Sequence, residues 1–214
     1  MDNNHYDQNV FDAQGYRYNV GIIIINELGQ VFWGKRAGQD SWQFPQGGLS
    51  AGESSEQAML RELFEETGLL REQVEIIGET EQWLRYRLPV RYRRRRKSGV
   101  LQCIGQKQKW FLVKLTGSDA DVNLHASGTP EFDDWCWIDF WRPSKEVVHF
   151  KRRVYRQALE ELAALAPPGL VQKSAPGQQE QGGNAQRTRH KHRRKAPSFA
   201  RTSGQEGQPR KAEG

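Results

Sequence analysis

The chain changes character at Pro167-Pro168-Gly169. Beyond that point Gly, Gln, Ser, Pro and charged residues dominate, and Leu170, Val171 and Phe199 are the only sizeable apolar side chains. Such a segment cannot bury enough surface to offset its ordering entropy, so residues 166–214 are predicted to be a disordered tail. The break also divides the charge. The tail holds ten Lys/Arg against three Asp/Glu, a net of +7, whereas the whole 214-residue chain is only +6. The part that can fold is therefore slightly acidic, and the basic pI belongs to the tail. The densest basic run there, Arg187 to Lys195, reads either as a weak RNA-binding arm or as solvated charge without a specific partner.

Residues 14–165 read as one domain without internal repeats, and residues 1–13 as a flexible lead-in. The longest aliphatic stretch is Ile22 to Ile25, far short of the ~18 residues a membrane helix needs, so no membrane partner is expected. Met1 to Asp12 is polar and acidic and does not read as a secretory signal. Cys103 and Cys136 make neither a disulfide framework nor a four-thiolate zinc site, and a reducing cytoplasm is the expected location.

Within the domain, Tyr16–Ile25 and Gln30–Arg36 flank a turn and predict a hairpin. Trp42–Phe44 is a short strand candidate halted by Pro45-Gln-Gly-Gly48, and further strands are predicted at 74–78, 82–87, 108–115 and 134–141. Ser54 with Gln57 forms a capping box, Ala58, Leu60, Leu63 and Phe64 supply an apolar face, and Gly68 suits the end of that helix. A last helix is expected from about Ser144 to Leu165, with room for a break. This mixture predicts an α/β fold with a mixed sheet between helices.

The chemistry concentrates between Gly47 and Leu69. On the helix, Glu62, Glu65 and Glu66 fall on roughly one side, where three carboxylates repel one another and raise each other's pKa. A divalent cation removes that conflict, and oxygen ligands without thiolate or imidazole suit Mg²⁺ or Mn²⁺. The alternative is a solvent-facing acidic helix in which Arg61 pairs with Glu65. The wider pattern decides between them. Gly47, then Glu53, then Arg61-Glu62-Leu63-Phe64-Glu65-Glu66-Thr67-Gly68-Leu69 match every fixed offset of the Nudix box.

The chain thus resembles the Nudix hydrolases. The resemblance implies an α/β/α sandwich, a loop–helix–loop around the box, and water attack on a phosphoanhydride assisted by a divalent metal. It implies Glu62, Glu65 and Glu66 as metal ligands with the Gly47 carbonyl, Arg61 orienting a catalytic glutamate, and Glu53 holding the loop to the helix. Which carboxylate acts as base differs between subfamilies and stays open.

Flanking segments narrow the resemblance to the bacterial RNA pyrophosphohydrolases, from about Gly15 to Leu165. They include Tyr16 to Gly21, Ser41 to Gly48, Trp83 to Tyr86, Gly105 to Phe111, Pro130 to Asp133 and Val147 to Arg152. The resemblance implies that Glu131 lies across from the helix and completes the metal site, with the role of base open to it. It implies that Phe150 stacks on a base near the 5′ end, with Val148, Lys151, Arg36 and Ser41 around the next pocket. Arg17 and Tyr86 would lie along the phosphate path. The residue chemistry is compatible, since a triphosphate RNA end needs cations and aromatic faces. Arg17, Arg36, Arg85, Lys107, Lys109 and Lys151 offer charge, and Tyr86 and Phe150 offer rings. Arg91-Tyr-Arg-Arg-Arg-Arg-Lys97 is more basic than the family pattern and reads either as an RNA-backbone clamp or as an exposed loop.

Three functions follow from these expectations. The first removes pyrophosphate or phosphate from 5′-triphosphate or 5′-diphosphate RNA ends, leaving a monophosphate and promoting decay. The second hydrolyses diadenosine tetraphosphate and related dinucleoside polyphosphates. The third is a non-catalytic RNA- or ribosome-binding protein on the same fold, against which the intact carboxylate set argues. Relatives imply a monomer or weak dimer, and a protein activator would leave no motif to read.

Overall fold

The structure, a computed structural model, describes residues 10–93, 103–171 and 188–189. Among these residues nine strands form one sheet. The long strand β1 (Tyr16–Ile25) lies at its centre. It pairs in parallel with β7 (Gly105–Leu115) over ten registered positions, from Tyr16↔Gly105 to Ile25↔Lys114. On its other side it meets β4 (Gln46–Gly48) antiparallel and, at its far end, β2 (Gln30–Arg36). β3 (Trp42–Gln43) and β8 (Phe132–Asp139) border β2, while β5 (Val74–Glu79) and β6 (Leu84–Arg87) border β7. The sheet is therefore mixed, as the sequence predicted.

Helices cover both faces. β1 alternates between them because successive strand residues point to opposite sides. Val20, Ile22 and Ile24 join the core beneath α1 (Ser55–Thr67), which contributes Ala58, Met59 and Leu63. Ile23 and Ile25 join the opposite core beneath α3 (Arg152–Ala163), which contributes Val154, Tyr155, Ala158, Leu159 and Leu162. All four isoleucines are fully buried, each worth ~1.5–3 kcal/mol relative to exposure. The α/β/α sandwich expected from the resemblance is the observed architecture.

α1 begins and ends as its sequence dictates. The Ser54 hydroxyl accepts from the Gln57 amide at 3.1 Å, and the Gln57 side chain accepts from the Ser54 amide at 2.9 Å. Gly68 closes the helix at φ 74°, a left-handed conformation that favours glycine. One expectation for its buried face is corrected: Met59 faces the core, and Phe64 is exposed. The helix turns Glu62 and Glu66 inward beside Leu63, which shifts the buried stripe away from Phe64.

Other boundaries also move. Pro45 interrupts the strand but does not end the extended run, which re-enters the sheet as β4. The last helix divides into α2 (Pro143–Glu146), a 3₁₀ turn at His149–Lys151, and α3. Some residues expected in the flexible ends contact the domain. Phe11 bridges Arg17, the Tyr18 amide donates to the Val10 carbonyl at 2.9 Å, and Ala166, Leu170 and Val171 pack on the α3-side core. Thr188–Arg189 forms β9 against Trp137 and Cys136 of β8. The rest of the expected disordered tail, residues 1–9, and Arg94 to Lys97 of the basic run lie outside the described residues.

Candidate active site

β4 brings two backbone glycines against two charged side chains. A Cβ built on Gly47 would lie 1.7 Å from the Glu62 carboxyl carbon, and one on Gly48 would lie 2.0 Å from an Arg17 guanidinium nitrogen. Only glycine at these positions lets Glu62 from α1 and Arg17 from β1 approach the strand.

Arg61 ties the loop to the helix. Its guanidinium donates to both Glu53 carboxylate oxygens at 2.8 and 2.9 Å, to Glu62 Oε1 at 2.7 Å, to Glu65 Oε2 at 3.2 Å and to the Gly48 carbonyl at 2.8 Å. Glu53 also accepts from the Ser50 amide at 2.9 Å, so it holds the loop against the helix. The Arg61 hydrogen bonds depress the Glu53 pKa, and Glu53 in turn helps keep Arg61 charged. Pairing with Glu65 and contact with Glu62 are thus simultaneous rather than alternatives.

Glu62, Glu65, Glu66 and Glu131 line one recess of about 350 Å³ together with Ser127 and Thr129. Glu62 and Glu66 are buried, whereas Glu131 stands exposed just before β8. Burial raises the Glu62 pKa against the opposing effect of Arg61. Burial also pushes Glu66 well above the ordinary carboxylate range, reinforced by Glu62 and Glu131 and opposed by the Gln46 amide and Lys151. Among the described residues no three His, Cys, Asp or Glu side chains are drawn together as a ready-made metal site. Arg61 holds Glu62 and Glu65, and Arg36 holds Glu131 at 3.2 Å. The donor set nevertheless fits a hard divalent cation: four carboxylates face one recess with no thiolate or imidazole among its lining residues.

Glu62, Glu66 and Glu131 also border a larger cleft of about 750 Å³. Every residue assigned by sequence to substrate binding lines it: Arg17, Arg36, Ser41, Tyr86, Val148, Phe150 and Lys151. Arg85, Lys107 and Lys109, also considered as phosphate cations, do not. Arg85 bonds Gln14 at 3.0 Å, Lys107 pairs with Asp12 at 3.7 Å, and Lys109 pairs with Glu79 at 3.2 Å. Strand alternation is the reason for the two lysines, since on β7 Gln106 lines the cleft and buried Gln108 on the same face bonds Asn19 and Gln46, while Lys107 and Lys109 take the other face.

Lys151 is buried, with Nζ donating to Gln43 Oε1 at 3.1 Å and Gln46 Oε1 at 3.0 Å. Burial and Arg36 lower its pKa to about 7, while Glu66 and Glu131 oppose the shift. The Gln46 amide donates to Glu66 Oε2 at 3.1 Å, so one glutamine joins the carboxylate recess to the lysine. Gln43 and Gln46 hold this position because Phe44 between them stacks on Tyr155 of α3 at 5.2 Å, and its amide donates to the Tyr155 hydroxyl at 3.3 Å. Tyr86 lies 5.8 Å from Lys151 Nζ by its ring centre, donates its hydroxyl to Gln106 Oε1 at 2.5 Å, and contacts Phe150 at 5.9 Å.

Sequence reasoning missed Gln43, Gln46, Phe11 and Tyr92 as cleft residues. One cue existed for the polar lining. Gln106 and Gln108 alternate at period two in a strand whose next four residues, Trp110 to Val113, are apolar.

Comparison with known proteins agrees with this geometry. The NUDIX domain profile matches residues 15–158. A protein of Cronobacter sakazakii named RNA pyrophosphohydrolase is 56% identical over 169 residues, covering 79% of this chain and 93% of the relative. One of the same name from Methylococcus capsulatus is 58% identical over 153 residues, covering 72% and 79%. The solved E. coli dihydroneopterin triphosphate pyrophosphohydrolase shares the fold at a TM-score of 0.55 and 22% identity, covering 70% of this chain and 96% of that one.

Proposed function

The chain belongs to the NUDIX domain family, and from that premise we propose that it is a hydrolase that converts 5′-triphosphate or 5′-diphosphate RNA ends to monophosphates. It would release pyrophosphate or phosphate and so open the RNA to decay. One observation carries the substrate reading: the carboxylate recess continues through Gln46 and Lys151 into a cleft with cations and the Tyr86–Phe150 ring pair. A triphosphate followed by a base presents the complementary order, anion first and stackable ring second. The two relatives of the same name support this reading.

Glu62, Glu65, Glu66, Glu131 and the Gly47 carbonyl are the groups that would hold a divalent cation, Mg²⁺ or Mn²⁺. Bound there, such an ion supplies charge neutralisation on the phosphates and a more acidic water. The protein's own residues do the rest. Arg61 orients Glu62 and fixes the loop through Glu53. Arg17, Arg36 and Lys151 neutralise the polyphosphate, and Phe150 with Tyr86 orients the nucleoside. Arg36 pairs with Glu131 at 3.2 Å, so a phosphate bound at Arg36 would compete with that carboxylate for the guanidinium. Glu62 and Glu131 are the carboxylates suited to take the proton of the attacking water. Among the described residues no helix is long and apolar enough to cross a membrane.

A competition tests the reading. Purified protein with Mg²⁺ receives equal concentrations of a short 5′-triphosphate RNA and diadenosine tetraphosphate. Preferential hydrolysis of the RNA is expected, with turnover lost in Glu62→Gln and Glu66→Gln. Preference for the dinucleotide would move the protein to the small-molecule hydrolases. RNA binding without turnover of either would make it a binding protein.

A further inference from the structure

The ring contacts do not stop at Phe150. Tyr92 lies 5.7 Å from Phe150 between ring centres, on the same cleft, and the Arg91 guanidinium sits 5.0 Å over the Tyr92 ring. A continuous series of contacts therefore runs from Glu66 through Gln46, Lys151, Tyr86, Phe150 and Tyr92 to Arg91. Tyr92 is 52% exposed, so its ring is not part of the core.

The turn carrying it is held in place. The Tyr92 amide donates to the Pro89 carbonyl at 2.9 Å, the Arg93 amide to Val90 at 3.1 Å, and Arg93 Nε to the Leu88 carbonyl at 2.7 Å. Leu88 is itself fixed to the entry of β7 by its amide bond to Ile104 at 3.0 Å. An exposed tyrosine on a pinned turn, with an arginine over its ring and a cleft phenylalanine tilted at 44° beside it, has the composition of a nucleobase platform.

We propose that Tyr92, backed by Arg91, is the stacking face for a nucleotide downstream of the one held at Phe150, so that the site reads polymer length. The proposal rests on the RNA-end reading above. Stacking on an exposed ring falls at the low end of the ~5- to 150-fold that one base–aromatic contact contributes to affinity. A dinucleoside polyphosphate has no downstream nucleotide and gains nothing from this ring.

The test uses 5′-triphosphate ribonucleotides of one, two, three and four residues. Michaelis constants are measured for the wild type, Tyr92→Ala, Tyr92→Phe and Arg91→Ala. The wild type and Tyr92→Phe are expected to gain with length. Tyr92→Ala should match them on the mononucleotide and lose about 5- to 10-fold on the tetranucleotide, and Arg91→Ala should lose less with the same length dependence. An equal loss at every length would overturn the proposal and make Tyr92 a prop for Phe150. No loss at any length would overturn it too. Anisotropy with the same oligomers separates this from failure of the RNA-end reading. If the wild type hydrolyses only dinucleotides, a length-dependent binding defect in Tyr92→Ala still supports the stacking face, and its absence removes it.

Discussion

Lys151 carries the most informative charge in the cleft. Its pKa falls from 10.5 to about 7 because folding strips its water while Arg36 adds a like charge. Between those values the unfolded chain binds more protons than the folded one, so folding stability rises as pH rises through that window. The full cost of the buried charge applies below about pH 7. Urea midpoints of the metal-free protein should therefore climb from pH 7 to 9, and Lys151→Met should flatten that climb. Of the glutamates around this lysine, Glu66 was legible from fixed offsets along one helix, and Glu131 only from the resemblance of the segment Pro130 to Asp133. Its glutamine partners were not, since Gln43 lies 108 residues away in the chain and only the sheet brings the two together. Phe11 and Tyr92 escaped because they sit in segments that sequence pattern reads as lead-in and loop.

At the scale of elements, α1 is the part whose ends are written most directly in its residues. Ser54→Ala removes the cap and should cost ~1 kcal/mol in urea unfolding, with turnover per folded molecule unchanged, since Ser54 lies outside the cleft. The strands were legible where a β-branched run met turn residues, as in β1, and where a second run followed that turn, as in β2. β4 was not, because its sequence Gln-Gly-Gly has no strand preference and is held by its partner β1 through Asn19↔Gly48 and Val20↔Gly47. The break between α2 and α3 was foreseen, but its site was not. The chain turns out after Glu146 so that Val147 can bury and Lys151 can reach the glutamines.

At the scale of the molecule, the folded body ends later than composition indicates. Ala166, Leu170 and Val171 lean on the α3-side core despite the Pro-Pro-Gly break. Truncation after Leu165 should leave a chain less stable than truncation after Val171, by roughly 1–3 kcal/mol of lost burial, with a correspondingly lower thermal midpoint. Differential scanning calorimetry of the two chains separates these outcomes. The parallel pairing of β1 with β7 has a temporal consequence. Its partners are some ninety residues apart in the chain, so the central ladder closes one of the longest loops in the domain. During synthesis at ~5–20 residues per second, β1 must wait on the order of five to twenty seconds for β7 to emerge. In that interval its isoleucines can be sheltered by the β2, β4 and α1 segments but not yet by β7 or α3. The capped helix of glutamates can form early, and the cleft that gives those glutamates a substrate is completed late.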